Sequence, residues 1–251
     1  HAAIAAPVGN LTALQQQTGL LQLSTDTNVA IELQLLKPDL LRIRAGLNGK
    51  LTDEGSKAAP IVIKTDYTQV AYQLKDMGDY QLVSTEAMAL RIYKKPLTFA
   101  LYKADNQTLI VQELQPLELN DSKGSAQSVQ TLSTAPDERF YGGGQQNGAF
   151  EFKGKTMEIS YSGGWEEGDR PSPAPFFMSS KGYGVLRNSW ANGSYDFRSS
   201  EYINLSHNEQ RFDSYYFVGN SIKQVLADYT ELTGRAKLIP RWAFEYGDAD
   251  C

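Results

Sequence analysis

The sequence has one cysteine, Cys251, and two histidines, His1 and His207. A lone thiol excludes an internal disulfide, a CxxC redox pair and a thiolate zinc cage. His207 is the one internal histidine from which a Ser-His-Asp triad could be built. It sits in the polar stretch "NLSHNEQ" and reads as a solvated loop side chain rather than a base. No Lys/Arg cluster exceeds two residues, and acids outnumber bases, 29 to 24, for a net charge of −5. Phosphate backbones and anionic membranes attract basic faces, so the composition argues against a nucleic-acid partner. No apolar run approaches the roughly 20 residues of a membrane-spanning helix. No fixed-period repeat is present either, which argues against a propeller or a solenoid.

What is there is an ordinary globular composition: 251 residues, 41% hydrophobic and 21% charged. A chain of this length buries one large core or two modest ones. It opens on His1 rather than Met, and "HAAIAAPVGN" reads as a tag scar ahead of a mature, signal-stripped terminus. Export, to the periplasm or the extracellular space, is the expectation, with a cytoplasmic chain as the alternative.

Strand signals run along most of the length. "VAIELQLL" partly alternates apolar and polar residues. "LLRIRAGL" places Leu41, Ile43, Ala45 and Leu47 on one face and Arg42 and Arg44 on the other. "LTFALY", "KADNQ" and "TLIVQEL" read as two strands across a turn in which Asp105 and Asn106 tolerate left-handed geometry. "FFMSS", "KGYGVLRNS", "GSYDFRSS" and "FDSYYFVG" follow, each bounded by Gly, Asn or Ser. Short strands at this spacing predict a large antiparallel sandwich. Leu119 to Gln127 and residues 161 to 175 read as irregular segments.

One helix is expected. "SIKQVLADYTELTGR" sets Ile222, Val225, Leu226, Tyr229 and Leu232 on one stripe. Ser221 with Gln224 fits a capping box, and Gly234 fits the position just past the last turn. Pro240 forbids further helix. "RWAFEYGDADC" then reads as the first strand of another structure, with acids at its C-terminal end, where parallel barrels carry their chemistry.

Four segments, in order from about residue 39 onward, resemble glycoside hydrolase family 31. "DLLRIRAG" resembles the family's early "RIR" strand. "RFYGGGQQNG" (139–148) resembles its "FYGLGE" turn. "APFFMSSKGYGVLRNS" (174–189) resembles "PFFLSSRGYGVFLDNS". "YYFVGNSIKQVLADYTELTGRAKLIPRWA" resembles the junction in which a helix of the form "Q…Y…LTGR" leads to "PPxWALG". Two positions depart from the pattern. Gly-Gln stands where Gly-Glu is common in the turn, and "EYGDADC" stands where α-glucosidases carry "GYWQSR" or similar.

The resemblance implies a mainly β fold. A galactose-mutarotase-like antiparallel β-sandwich would occupy residues 1–237. Residues 238–251 would form the linker and first strand of a (β/α)8 barrel, truncated about a dozen residues into the roughly 250 such a barrel needs. The resemblance further implies a retaining enzyme that hydrolyses or transfers α-linked glucosyl units of starch- or dextran-like oligosaccharides, with no cofactor and no metal. Its partners would be that oligosaccharide and the remaining barrel and C-terminal domains of the same parent chain. The two catalytic aspartates of the family lie deep in the barrel, so no catalytic residue is expected here.

Residue chemistry agrees with that absence. A retaining dyad needs two carboxyl groups about 5 Å apart. Glu166 and Glu167 are neighbours and would face opposite ways on a strand, whereas Asp248 and Asp250 would share a face roughly 7 Å apart. The loop "SGGWEEGDRPSPAP" supplies a different chemistry. Trp165 is poorly placed for a core, and it is followed by Asp169 and Arg170. Sugars stack on aromatic rings and are held by carboxylates and guanidinium groups. The substrate-side candidates are therefore Trp165, Asp169, Arg170, Asp248 and Asp250. The alternative reading is a free-standing, non-catalytic carbohydrate-binding sandwich.

Overall fold

The computed structural model describes residues 6–53, 59–161 and 163–244. These form three antiparallel sheets, one α-helix and one 3-10 turn. The largest sheet has eight strands. In spatial order they are Phe140–Gln145, Ser172–Ser179, Tyr183–Arg187, Phe212–Val218, Leu40–Gly46, Ala30–Lys37, Leu20–Thr25 and Leu11–Gln17. A five-stranded sheet runs from Leu109–Gln112 to Gln73–Asp76. A six-stranded sheet runs from Ala6–Pro7 to Thr156–Ile159. A single bridge between Glu113 and Leu132 links these two smaller sheets.

One continuous core joins all three sheets. Ile31, Leu33, Leu41 and Ile43 of the large sheet meet Leu90 and Phe99 of the five-stranded sheet and Leu132, Ile203 and Leu205 of the six-stranded one. This is the expected β-sandwich, with the large sheet as one layer. Its opposite face carries Arg42, whose fork grips Asp213 at 2.8 and 2.7 Å, and Arg44, which reaches Glu32 and Asp53. The alternation read from "LLRIRAG" is thus real: apolar residues face inward and arginines outward.

The strand Phe212–Val218 does not alternate, because it is buried on both sides. Phe212, Tyr216 and Val218 belong to the main core, while Tyr215 and Phe217 belong to a second cluster beneath the helix. That helix, Ile222–Thr233, begins where Ser221 Oγ accepts the Gln224 N–H. The Gln224 side chain reaches back to the N–H of Asn220 at 3.1 Å, one residue earlier than a capping box predicts. Gly234, at φ 104°, ends it and donates its N–H to Thr230 O. Val225 and Leu232 are fully buried, and the Tyr229 ring stacks on Phe176 at 3.8 Å. Leu226, expected on the same stripe, is 44% exposed. At 100° per residue it falls at the edge of the arc centred on Val225 and Tyr229.

Three further expectations need correction. His207 is not a solvated loop residue. It ends the strand Tyr202–His207, is fully buried, and lies 2.9 Å from the Tyr195 hydroxyl and 3.0 Å from Ala191 O. Burial first, and then the Arg187 charge, push its pKa down to about 3, so it is a neutral structural imidazole. Its neighbours in sequence are polar, but pairing with Gln127–Ser133 and Gly193–Asp196 covers it on both sides. "FYGGGQ" is a strand, Phe140–Gln145, rather than a turn. Arg241–Phe244, where the expected barrel strand would begin, form a 3-10 turn with Trp242 72% exposed, and the rest of that expected strand lies outside the described residues.

Glu113 is buried between the layers. Its carboxylate accepts the Phe99 N–H at 3.0 Å and Gln130 Nε2 at 2.6 Å, and Gln130 in turn pairs with the Tyr216 hydroxyl. Burial pushes its pKa up to about 7 despite these two hydrogen bonds. The folded chain therefore holds a proton on Glu113 that the unfolded chain releases near its ordinary value. This stabilisation is complete below that value and is lost as pH rises through about 7. In Glu113→Gln the loss disappears. Chemical denaturation from pH 4.5 to 7.5 should show the variant gaining about 3 kcal/mol on the parent protein.

Candidate functional site

The site is built from two irregular segments at one end of the large sheet. The first follows the strand Phe140–Gln145, which pairs with Ser172–Ser179 and breaks register between Gly142 and Gly144. Gly142, Gly143 and Gly144 have φ of 125°, 79° and 72°, a conformation that side-chain-bearing residues rarely adopt. Space also demands glycine. A Cβ on Gly142 would lie 2.6 Å from Phe176 O, and one on Gly144 would lie 2.2 Å from Ser172 O. The bulge swings the following residues, Gln146 to Gly148, out of the ladder. Gln146 Nε2 then fastens them by donating to Gly143 O at 3.0 Å and Glu158 O at 3.1 Å.

The second segment is the loop around Trp165. It closes on itself: the Asp169 carboxylate accepts the Glu166 N–H at 3.0 Å, and Asp169 N–H donates to Glu166 O at 3.1 Å. At its ends Gly163 and Arg170 pass so closely that a Cβ on Gly163 would lie 2.4 Å from Arg170 O. Asn147 joins the two segments. Its N–H donates to Asp169 O at 2.8 Å, its Nδ2 donates to Glu166 O at 2.9 Å, and its carbonyl accepts the Gly168 N–H at 3.2 Å. A loop of polar residues and glycines, with little core of its own, is thereby tied to the sheet by one asparagine.

Trp165 stands on this tied loop with 78% of its surface exposed. Phe150, just past the first segment, is 94% exposed. Large aromatic rings held this far into solvent suit stacking against an apolar ligand face. Arg170 is half-buried, and its Nε is buried with no hydrogen-bond partner among the described residues. An orphaned guanidinium N–H is costly and holds donor capacity in reserve.

The structure thus brings Trp165, Asp169 and Arg170 into one loop but divides their roles. Trp165 is presented outward, Asp169 closes the turn, and Arg170 keeps a donor unused. Asp248 and Asp250 lie outside the described residues. Sequence reasoning missed Asn147, Gln146 and Phe150. The signal that could have found the first two is the glycine triplet, since a bulged strand end needs side-chain amides to satisfy the backbone it frees. Among the described residues no group of His, Cys, Asp and Glu could hold a metal, and no helix is long and apolar enough to cross a membrane.

Comparisons with known proteins bear on the fold and the family. An α-xylosidase from Saccharolobus solfataricus is 24% identical over 225 residues, covering 87% of this chain and 30% of the relative. Alpha-glucosidase 2 from Bacillus thermoamyloliquefaciens is 22% identical over 250 residues, covering 95% of this chain and 30% of the relative. The chain therefore spans under a third of the length of these relatives. Among solved structures, a GH31 dextranase from Flavobacterium johnsoniae complexed with glucose superposes with a TM-score of 0.83 at 22% identity. That match covers 96% of this chain and 30% of the dextranase. The cycloalternan-forming enzyme from Listeria monocytogenes, solved with a pentasaccharide substrate, gives 0.81 at 23% identity, covering 95% of this chain and 23% of that one. A family model described as the glycosyl hydrolase 31 N-terminal galactose mutarotase-like domain matches residues 30–196. A sandwich of this topology, matched over two thirds of its length, belongs to the glycosyl hydrolase 31 N-terminal galactose mutarotase-like domain family.

Proposed function

We propose that this chain is the N-terminal domain of a retaining enzyme that hydrolyses or transfers α-linked glucosyl units of starch- or dextran-like oligosaccharides. Residues 238–251 lead into its (β/α)8 barrel, which carries the two carboxyl groups of the double displacement. The sandwich has two tasks. It supports the barrel, and it extends the loop 163–170 over the sugar pocket, where Trp165 stacks on a sugar ring and the half-buried Arg170 guanidinium donates to a hydroxyl.

The observation that carries this reading is the clamp at Asn147. An exposed tryptophan on a slack loop would lose much entropy on binding, whereas one on a loop held at both ends loses little. Family membership supplies the reaction class. The relatives, among them a dextranase, an α-glucosidase and an α-xylosidase, support that reading.

Two outcomes are expected in the parent enzyme. Trp165→Ala lowers kcat/KM on α-linked oligosaccharides by about tenfold, the worth of one aromatic stack, with an unchanged Tm. An unchanged kcat/KM on trisaccharide and longer substrates would remove Trp165 from the pocket. Asn147→Ala leaves every proposed sugar contact in place and removes the Nδ2 bond to Glu166 O, loosening the loop while the two backbone bonds remain. Amide exchange at Gly168 should rise about fivefold, matching one lost hydrogen bond, and KM should rise with it while kcat holds. The 251-residue chain alone should not cleave an aryl α-glucoside.

A further inference from the structure

A cleft of about 800 Å3 lies between the large sheet, the C-terminal end of the helix and a strap of chain that has no assigned task. It shares no residue with the loop of Trp165. The strap, residues 59–72, forms neither helix nor strand. It is anchored near its start, where the N–H groups of Ile63 and Lys64 both donate to Leu232 O at 3.1 Å. Beyond that, among the described residues, the backbone from 65 to 72 makes no hydrogen bond. Fourteen residues of chain without a ladder usually mark a segment kept for contact rather than for support.

The side chains of the strap are better fixed than its backbone. Tyr67 packs into the cluster beneath the helix, with Lys64 Nζ 5.3 Å from its ring centre. Tyr72 packs against the main core, and its hydroxyl accepts Gln16 Nε2 at 3.0 Å. Both tyrosines line the cleft and both are only partly buried, so part of each held ring borders it. Between them the exposed Gln69 lines both this cleft and an adjoining one of about 500 Å3.

The walls carry Lys37 and Lys64 against Asp66, Glu86 and Glu231, a small acidic excess. Lys37 contacts Asp228 and lies 3.3 Å from Glu231, and Lys64 lies 3.3 Å from the other oxygen of Glu231. Acids in excess repel an anionic ligand, and these ions are largely paired among themselves. They do leave spare capacity, because an ammonium has three donors and a carboxylate about four acceptor sites. Fixed donors, fixed acceptors and two aromatic rings in a cleft of ligand size are the complement of an uncharged polyhydroxylated chain. Because the groups are already ordered, little entropy is lost in binding it.

We infer that this cleft binds a stretch of α-linked glucan along the strap, with Tyr67 and Tyr72 as stacking faces and Gln69, Lys64 and Glu231 as hydroxyl partners. The α-linkage rests on the proposed function, while the uncharged sugar class rests on the cleft itself. Amide chemical shifts of the chain, followed while titrating maltohexaose, isomaltohexaose and cellohexaose separately, test both. Saturable shifts over residues 64–73 and 84–86 with an α-linked hexaose are expected. Tyr67→Ser should then weaken binding by about tenfold and Gln69→Ala by about threefold, as one stack and one hydrogen bond require. Gln69 is exposed, so its variant keeps the test valid should Tyr67→Ser misfold. Absence of saturable shifts over the strap with all three sugars, or shifts confined to 163–170, overturns the cleft. Saturation by cellohexaose alone overturns the α-glucan assignment taken from the proposed function.

Discussion

The large sheet must be covered on both faces, and the rest of the molecule follows from how that is done. Its central strands, Tyr183–Arg187 and Phe212–Val218, are apolar on both sides, and water on either would be costly. One side is closed by the two smaller sheets, which share a single core with it. The other is closed by the helix Ile222–Thr233, through Phe176, Phe217 and Tyr229. The strap 59–72 completes that second cover, with Ile61, Val62 and Tyr67 packed beside the helix and the Ile63 and Lys64 amides on Leu232 O. A support element and a ligand-facing cleft are therefore made by the same piece of chain.

The end of the sheet near Gly142 to Gly144 obeys a different constraint. There the ladder is broken by design, and the freed residues are held by side-chain amides rather than by strand pairing. Stability is lent to the loop from the sheet through Asn147 and Gln146. The loop contributes almost nothing to the core, yet Trp165 is presented in a defined place. This is the common arrangement in which a rigid scaffold carries a binding loop.

Burial also explains the unusual charges inside. Arg187 is fully buried, its Nη2 donates to Ser128 Oγ at 2.8 Å, and its guanidinium lies over the Phe212 ring at 4.0 Å. Burial pushes its pKa down, and its charge helps keep His207 neutral. Glu113 sits in the same sandwich as an acid that burial pushes toward protonation. Each is a polar group whose ionisation is set by the layers around it rather than by its neighbours in sequence.

Much of this was legible in the residues alone. Alternation in "LLRIRAG", the turn at Asp105 and Asn106 (φ 54°) and the caps Ser221 and Gly234 are local properties that the chain carries in any context. So were the exposure of Trp165 and its company with Asp169 and Arg170, because a tryptophan among glycines and acids has no apolar neighbours to pack on. Other features were decided only by the fold. His207 looked solvated until two neighbouring strands enclosed it. "FYGGGQ" looked like a turn until Ser172–Ser179 paired with it. Asn147 became the clamp only when residues 19 to 22 positions away arrived beside it. Periodicity and capping are written in neighbours along the chain. Burial, clefts and loop clamps depend on which distant segments meet, and only the packed structure determines that.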